Sequence, residues 1–417
     1  GTGGNSSDSG VALAFLEYTT ASVSSFQLKQ FSGSRCDVDW GDGTTDTNVT
    51  SNLKDHTYSS TGVYKIKITP VEGYTFRPEH YGAADYQTNL TKVDGTGGSS
   101  LSTDITKWLR ETASLTSFGS SIDTSHVTVF QAVWYGCTGL TSFPLLDMSS
   151  GTNFFNTWIL CSGLTSFPAI DTSSGTNFSS TWDSCTGLTS FPTIDVSSAS
   201  TLPSTWKNCN SLTSFPLINT STINQLVQTW RACNSLTSFP SINTSNVTSF
   251  KQAWQDCNSL TSFPSLNASS GTTFQDTWNG CSGLTSFPAL NMSSGTDFRG
   301  AWRACTLLTS FPSITPTSGT DFGGAWFNCT SLSNYPANQF DTTGTLTSGA
   351  FSVAFSNCAL TAQSIENILT SLDTNGSQNI TLQIGGGTNA GKSTWSTAAN
   401  TAYDNLITKG WTINFNA

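Results

Sequence analysis

A chain of 417 residues is long enough for two or three domains, yet only 10% of it is charged and its formal charge is −10. That acidic, weakly charged balance lacks the basic footprint that nucleic acid or an anionic membrane surface requires. No run of about 20 apolar residues is present, so no segment is suited to span a bilayer as a helix.

Residues 1–10 form a Gly, Ser and Asn tail with the composition of a flexible linker. The chain opens on Gly1 rather than Met, and a processed or trimmed segment is expected before it. Residues 11–78 read as a β-sandwich. Val38 and Trp40 alternate into the tight turn Gly41-Asp42-Gly43, and Val63, Tyr64, Ile66 and Ile68 mark a later strand. Val38-Asp39-Trp40-Gly41-Asp42-Gly43, with His56-Thr57-Tyr58 and Gly62-Val63-Tyr64-Lys65-Ile66, resembles the PKD domain, which implies an immunoglobulin-like extracellular spacer. Asp37, Asp39 and Asp42 raise the question of a calcium loop, but the third carboxylate comes one place late for EF-hand spacing. They read as carboxylates capping a turn.

Residues 79–111 hold no clear period and are expected to connect the sandwich to the repeats, with Ile105, Trp108 and Leu109 beginning an N-terminal cap. A degenerate first coil comes next, with Thr112 in the cysteine position and Leu115 and Phe118 in strand positions. Terminal repeats are expected to be atypical. Residues 112–357 then repeat with a period of 24: Cys137, Cys161, Cys185, Cys209, Cys233, Cys257, Cys281, Cys305 and Cys329. A Trp stands three residues before each, from Trp134 to Trp326, and a Leu-Thr-Ser-Phe-Pro run comes after, identical in eight copies from Leu140–Pro144 to Leu308–Pro312.

One such unit cannot bury its apolar face alone, so neighbours must stack. In the unit, Leu164, Phe167 and Ile170 punctuate an extended piece that Pro168 keeps from being helical, which predicts a short parallel strand. Turn residues Thr172–Gly175 lead to Phe178, Trp182 and Cys185 at i, i+4 and i+7, which predicts a helical turn. The expected fold class is therefore an α/β solenoid, a leucine-rich-repeat stack of 24-residue coils built from short parallel strands and short helical turns, preceded by the small immunoglobulin-like sandwich.

Residues 358–417 are expected to close the stack. Ile365, Ile368, Leu369 and Leu372 mark a helix, Ile380–Ile384 a strand, Trp395–Ile407 a second helix ending near Gly410, and Trp411–Phe415 a last strand. Gly386 to Ser393 matches the phosphate-loop pattern GxxxxGK[ST], but a nucleotide site needs a second carboxylate strand for Mg²⁺. Only Asp404 remains downstream as an acid, on the helix, so the match reads as accidental.

The cysteine ladder reads as a column of buried free thiols. Identical positions point every Cβ the same way, which makes disulfide torsion awkward. Zinc is disfavoured because no His follows His126. No catalytic set assembles either. There is no Glu between Glu111 and Glu366, and the repeat carboxylates Asp147, Asp171 and Asp195 give way to Asn219, Asn243, Asn267 and Asn291 at the same position. His56, His80 and His126 lie outside the regular repeats. No enzyme, cofactor or metal site is expected.

The freest positions are the two between Trp and Cys. Among these and their neighbours, Tyr135, Phe155, Ile159 and Leu160 form a candidate apolar patch for a partner or for the sandwich to dock. Thr141 and its equivalents through Thr309 form a hydroxyl row whose simplest use is to solvate a strand face, with glycan binding or water ordering as alternatives. Asn-x-Ser/Thr sequons such as Asn48, Asn177, Asn243 and Asn267 are abundant but follow from composition.

The Trp-x-x-Cys-x-x-Leu-Thr-Ser-Phe-Pro coil, with Asn243–Thr248 between coils, Gly386–Asn389 and Lys409–Ile413, resembles the BspA-type leucine-rich-repeat surface proteins of bacteria and tailed phages over residues 105–417. The resemblance implies attachment without cofactors. The expectation is a non-enzymatic adhesion or receptor-recognition protein, extracellular, on a cell surface or a virion, whose partner is a cell-surface glycan or protein receptor, with no nucleic acid and no membrane insertion. The alternative is a self-assembling structural subunit of a filament, coat or virion appendage, whose partners are copies of itself.

Overall fold

In a computed structural model the structure describes residues 15–79, 84–96 and 101–417; the expected Gly1–Gly10 tail lies outside the described residues. The N-terminal strands are β1 (Phe15–Thr20), β2 (Val23–Lys29), β3 (Cys36–Asp39), β4 (Thr45–Val49), β5 (Leu53–Gly62) and β6 (Lys65–Pro70). Helix α1 (Ala84–Asn89), β7 (Leu90–Thr96) and β8 (Ser117–Phe118) come next. One six-stranded sheet runs β4-β3-β6-β1-β7-β8, and β2 pairs with β5 in a two-stranded sheet. Period-2 alternation sends Leu16, Tyr18, Val38, Ile66 and Ile68 inward, where they are buried.

The larger sheet continues past residue 78. β7 lies antiparallel to β1, pairing Tyr18 with Val93, and β8 lies parallel to β7, pairing Val93 with Phe118. The indole N–H of Trp108 donates to the Tyr18 hydroxyl at 2.9 Å, and both side chains are fully buried. The sheet and the first coil thus share one core.

The repeats correct the expected fold class. Beyond the two-residue β8 of the first coil they contain neither the predicted parallel strands nor the predicted helical turns, and the α/β leucine-rich-repeat solenoid is not what the chain forms. Most of the repeat is irregular backbone, and strand-like pairing between neighbouring copies is confined to isolated parallel bridges such as Asn153 with Asn177 and Thr201 with Gln225. The described residues hold three α-helices, α1 and two beyond residue 360.

Hydrogen bonding gives the reason. In the segment read as helical, the N–H groups of Phe154, Asn156, Trp158 and Leu160 donate to the carbonyls of Asn177, Ser179, Thr181 and Asp183 in the next repeat, at 2.8–3.1 Å. The intervening Thr157, Ile159 and Cys161 donate back three residues to Phe154, Asn156 and Trp158. Every second donor is therefore committed along the stack, which an α-helix with i→i−4 bonds does not allow. Asn156 and Leu160 also have φ of 58° and 64°, outside right-handed helix. In the segment read as a strand, Thr165 N donates to Thr141 O at 3.3 Å, while Pro168 has no N–H to offer a ladder.

Three aromatic columns fill the interior. Successive Trp rings from Trp134 to Trp326 stand 5.4–6.1 Å apart and nearly parallel. Phe143 to Phe311 form a second column at 5.4–6.4 Å, turned edge-on to the Trp rings, as Trp158 and Phe167 are at 4.9 Å and 76°. Phe130, Phe154 and Phe178, and later Phe250 to Phe322, stack at only 5.0–5.5 Å. The indole N–H of Trp158 is buried without a hydrogen-bond partner, so ring packing rather than hydrogen bonding holds the Trp column.

The C-terminal segment consists of α2 (Ala362–Asn375), β9 (Thr381–Gln383), α3 (Thr397–Thr408) and β10 (Thr412–Asn414), with β9 and β10 parallel. The Thr361 hydroxyl accepts from Ser364 N to cap α2, Ser396 caps α3 through Ala399 N, and Gly410 lies just past α3 at φ 83°.

Candidate binding surface

The phosphate-loop match is built into the closing segment. Gly386 N donates to Asn416 Oδ1 at 2.8 Å, Thr388 N to Cys358 O at 3.0 Å, Ala390 N to Leu360 O at 2.8 Å and Lys392 N to Asn416 O at 3.1 Å, so these backbone donors of the loop are engaged within the protein. The buried Asn389 amide bridges Phe355 O and Ile384 O, both at 2.9 Å. Lys392 Nζ lies 3.5 Å from the Tyr403 ring centre and 5.3 Å from that of Phe415, a cation held on aromatic faces.

Asp39 and Asp42 accept from Gly41 N and Thr44 N in the turn between β3 and β4, and Asp37 accepts from Asn48 N across the two strands, at 2.7–2.9 Å. Asp42 is held down at about 2, first by the Thr44 hydroxyl, with His56 adding to it. Among the described residues no group of three or more His, Cys, Asp or Glu side chains is placed to hold a metal ion.

The cysteines Cys137, Cys161, Cys185, Cys209, Cys233, Cys257, Cys281, Cys305 and Cys329 are free and buried, as is Cys358. Each thiol from Cys161 on donates to the carbonyl of the Trp one repeat back: Cys161 to Trp134 O at 2.9 Å, Cys257 to Trp230 O at 3.2 Å. Burial pushes the Cys161 and Cys233 thiols up to about 12, with a backbone hydrogen bond from the cysteine one repeat back, Cys137 or Cys209, pulling the other way.

The patch residues lie on adjacent repeats. Tyr135 is half-buried with the Arg110 guanidinium 4.5 Å over its ring, Phe155 and Ile159 are half-buried, and Leu160 is 42% exposed. The Thr141–Thr309 row is exposed, and its hydroxyls from Thr165 to Thr285 are engaged: Thr165 Oγ1 donates to Thr141 O at 3.3 Å and Thr213 Oγ1 to Thr189 O at 3.2 Å. The row secures one repeat to the next on the side where backbone bonds are sparse.

A surface feature not anticipated from sequence lies just beyond Phe-Pro. An open hollow of about 520 Å³ is lined by Leu145, Leu146, Asp147, Ser149, Ala169 and Asp171. Six repeats on, Ala289, Leu290, Asn291, Ser313 and Thr315 line another of about 290 Å³. These are equivalent positions, so one concavity recurs along the stack. Its floor is the inward Leu146 or Leu290, 3% exposed, and its rim carries exposed side chains, with Leu145 at 64% and Leu217 at 62%. The polar wall is the Asp/Asn position, whose Oδ1 accepts from the Ser two residues on: Asp171 from Ser173 N at 2.9 Å, Asn243 from Ser245 N at 3.0 Å. That backbone donor holds the Asp171 carboxyl below the usual carboxylate range. The Asp-to-Asn alternation is the signal available in sequence, where turn chemistry alone is enough to account for it.

No protein-family model matches the chain, and no curated protein matches it.

Proposed function

We propose that this chain is a non-enzymatic attachment protein, displayed on a cell surface or a virion, that uses its repeat stack as the scaffold of a recognition surface. The supporting observation is the concavity recurring at equivalent repeat positions, with a fixed apolar floor and a rim that varies from Leu145 to Ala289 and Ser313. A rigid aromatic interior below a variable rim holds recognition groups at fixed spacing without ordering cost. The resemblance to bacterial and phage surface proteins points the same way, and the PKD-like strands fused to the first coil suit a spacer that carries the stack away from its anchor.

The test is attachment of the labelled full chain to intact cells, with light scattering on the same sample. Saturable attachment by a chain that stays monomeric is the expected result. Concentration-dependent growth into filaments without attachment would replace this reading with that of a structural subunit.

A further inference from the structure

We infer that the hollows beyond Phe-Pro belong to one groove running along the stack, and that its occupant is an extended, neutral, 1,4-linked glycan chain lying parallel to the stack axis. This rests on the attachment reading and names its ligand class. Equivalent residues line the two hollows, at the two ends of a six-repeat span. Equivalent rings on the Phe-Pro side of the stack are 5.4–6.4 Å apart, the scale of one pyranose residue in an extended chain. A chain of equatorial 1,4 linkages is straight enough to remain in the groove, and because each sugar is turned over relative to the last, it presents the same face to every second repeat.

The chemistry of the walls fits. Asn219, Asn243, Asn267 and Asn291 are exposed in four successive repeats. Each side-chain carbonyl is fixed by the Ser two residues on, at 3.0–3.1 Å. Among the described residues nothing accepts from their Nδ2 atoms, so four exposed residues keep amide donors available to sugar hydroxyls. Leu217 and Ala289, beside them on the rim, offer apolar contact to the C–H faces of a ring. At the other end of the groove the same position carries Asp147, Asp171 and Asp195, which repel an anionic glycan. The ligand class is therefore neutral.

The experiment titrates the full chain calorimetrically with the 1,4-linked glucose oligomers cellobiose to cellohexaose, with hexagalacturonate as the acidic counterpart. Affinity should rise with each added sugar, and hexagalacturonate should bind more weakly than cellohexaose. The variant Asn219→Asp, Asn243→Asp, Asn267→Asp, Asn291→Asp keeps the turn, because Asp already holds it in earlier repeats, but removes the amide donors. It should bind cellohexaose about tenfold more weakly or worse at an unchanged thermal midpoint. Ser238→Ala, outside the groove, should bind as the parent does. Absence of cellohexaose binding, affinity independent of chain length, or an unaffected Asp variant would each overturn the glycan groove. If cell attachment persists in that event, only the ligand class falls; if attachment is absent too, the attachment reading falls with it.

Discussion

Each regular repeat places one thiol and one indole in the same dry interior, and the thiol protons carry a measurable consequence. An unfolded cysteine ionises near 9, whereas the buried Cys161 and Cys233 are raised to about 12. Their folded pKa is raised, so the stability they contribute is complete below pH 9 and lost as pH climbs toward 12, where only the unfolded chain releases protons. Thermal midpoints should be flat with respect to these groups up to about pH 8 and fall steadily above pH 9, and Cys233→Ala should shallow that fall. A midpoint insensitive to pH between about 9 and 11 would contradict the burial of the column. That the cysteines lie inside was readable from their strict period. Their hydrogen bonds to Trp carbonyls were not, because those depend on how far one repeat is displaced from the next.

The repeat as an element shows where periodicity misleads. Phe178, Trp182 and Cys185 point inward in a helix and equally in the ribbon of turns observed, so their spacing could not separate the two. The separating signal lay in the position just before cysteine. Gly136, Leu160, Ser184, Asn208, Ala232, Asp256, Gly280, Ala304 and Asn328 all have positive φ, and Gly, Asn and Asp are prominent among them. That position looks merely variable in sequence, yet it is under backbone constraint. Asn208, at φ 58°, gives the test. Asn208→Val should cost about 1–3 kcal/mol and Asn208→Gly much less, measured by chemical denaturation. By contrast α2, α3, β9 and β10 were legible, because capping residues and Gly410 coincide with ordinary helical and strand patterns there.

At the scale of the molecule, the six-stranded sheet and the repeats form one continuous core, joined through β7, β8 and the buried pair Tyr18 and Trp108. Tyr18→Phe leaves the Trp108 N–H without its partner and should cost about 1–3 kcal/mol, lowering the unfolding temperature of the sheet and of the first repeats together. Calorimetry resolving an unaffected repeat transition would show the two to be energetically separate. The junction was hidden in sequence because residues 79–111 carry no period, and β7 is recognised only once its partner β1 is placed.

The thiol column also bears on where such a chain can be made. A protein with 11 cysteines ordinarily depends on its redox surroundings to choose among many pairings. Here the repeat thiols are sealed against carbonyls, and ring contacts supply cohesion of the kind that crosslinks give to many small secreted proteins. The same fold can therefore form in a reducing interior and persist in oxidising surroundings without forming disulfides.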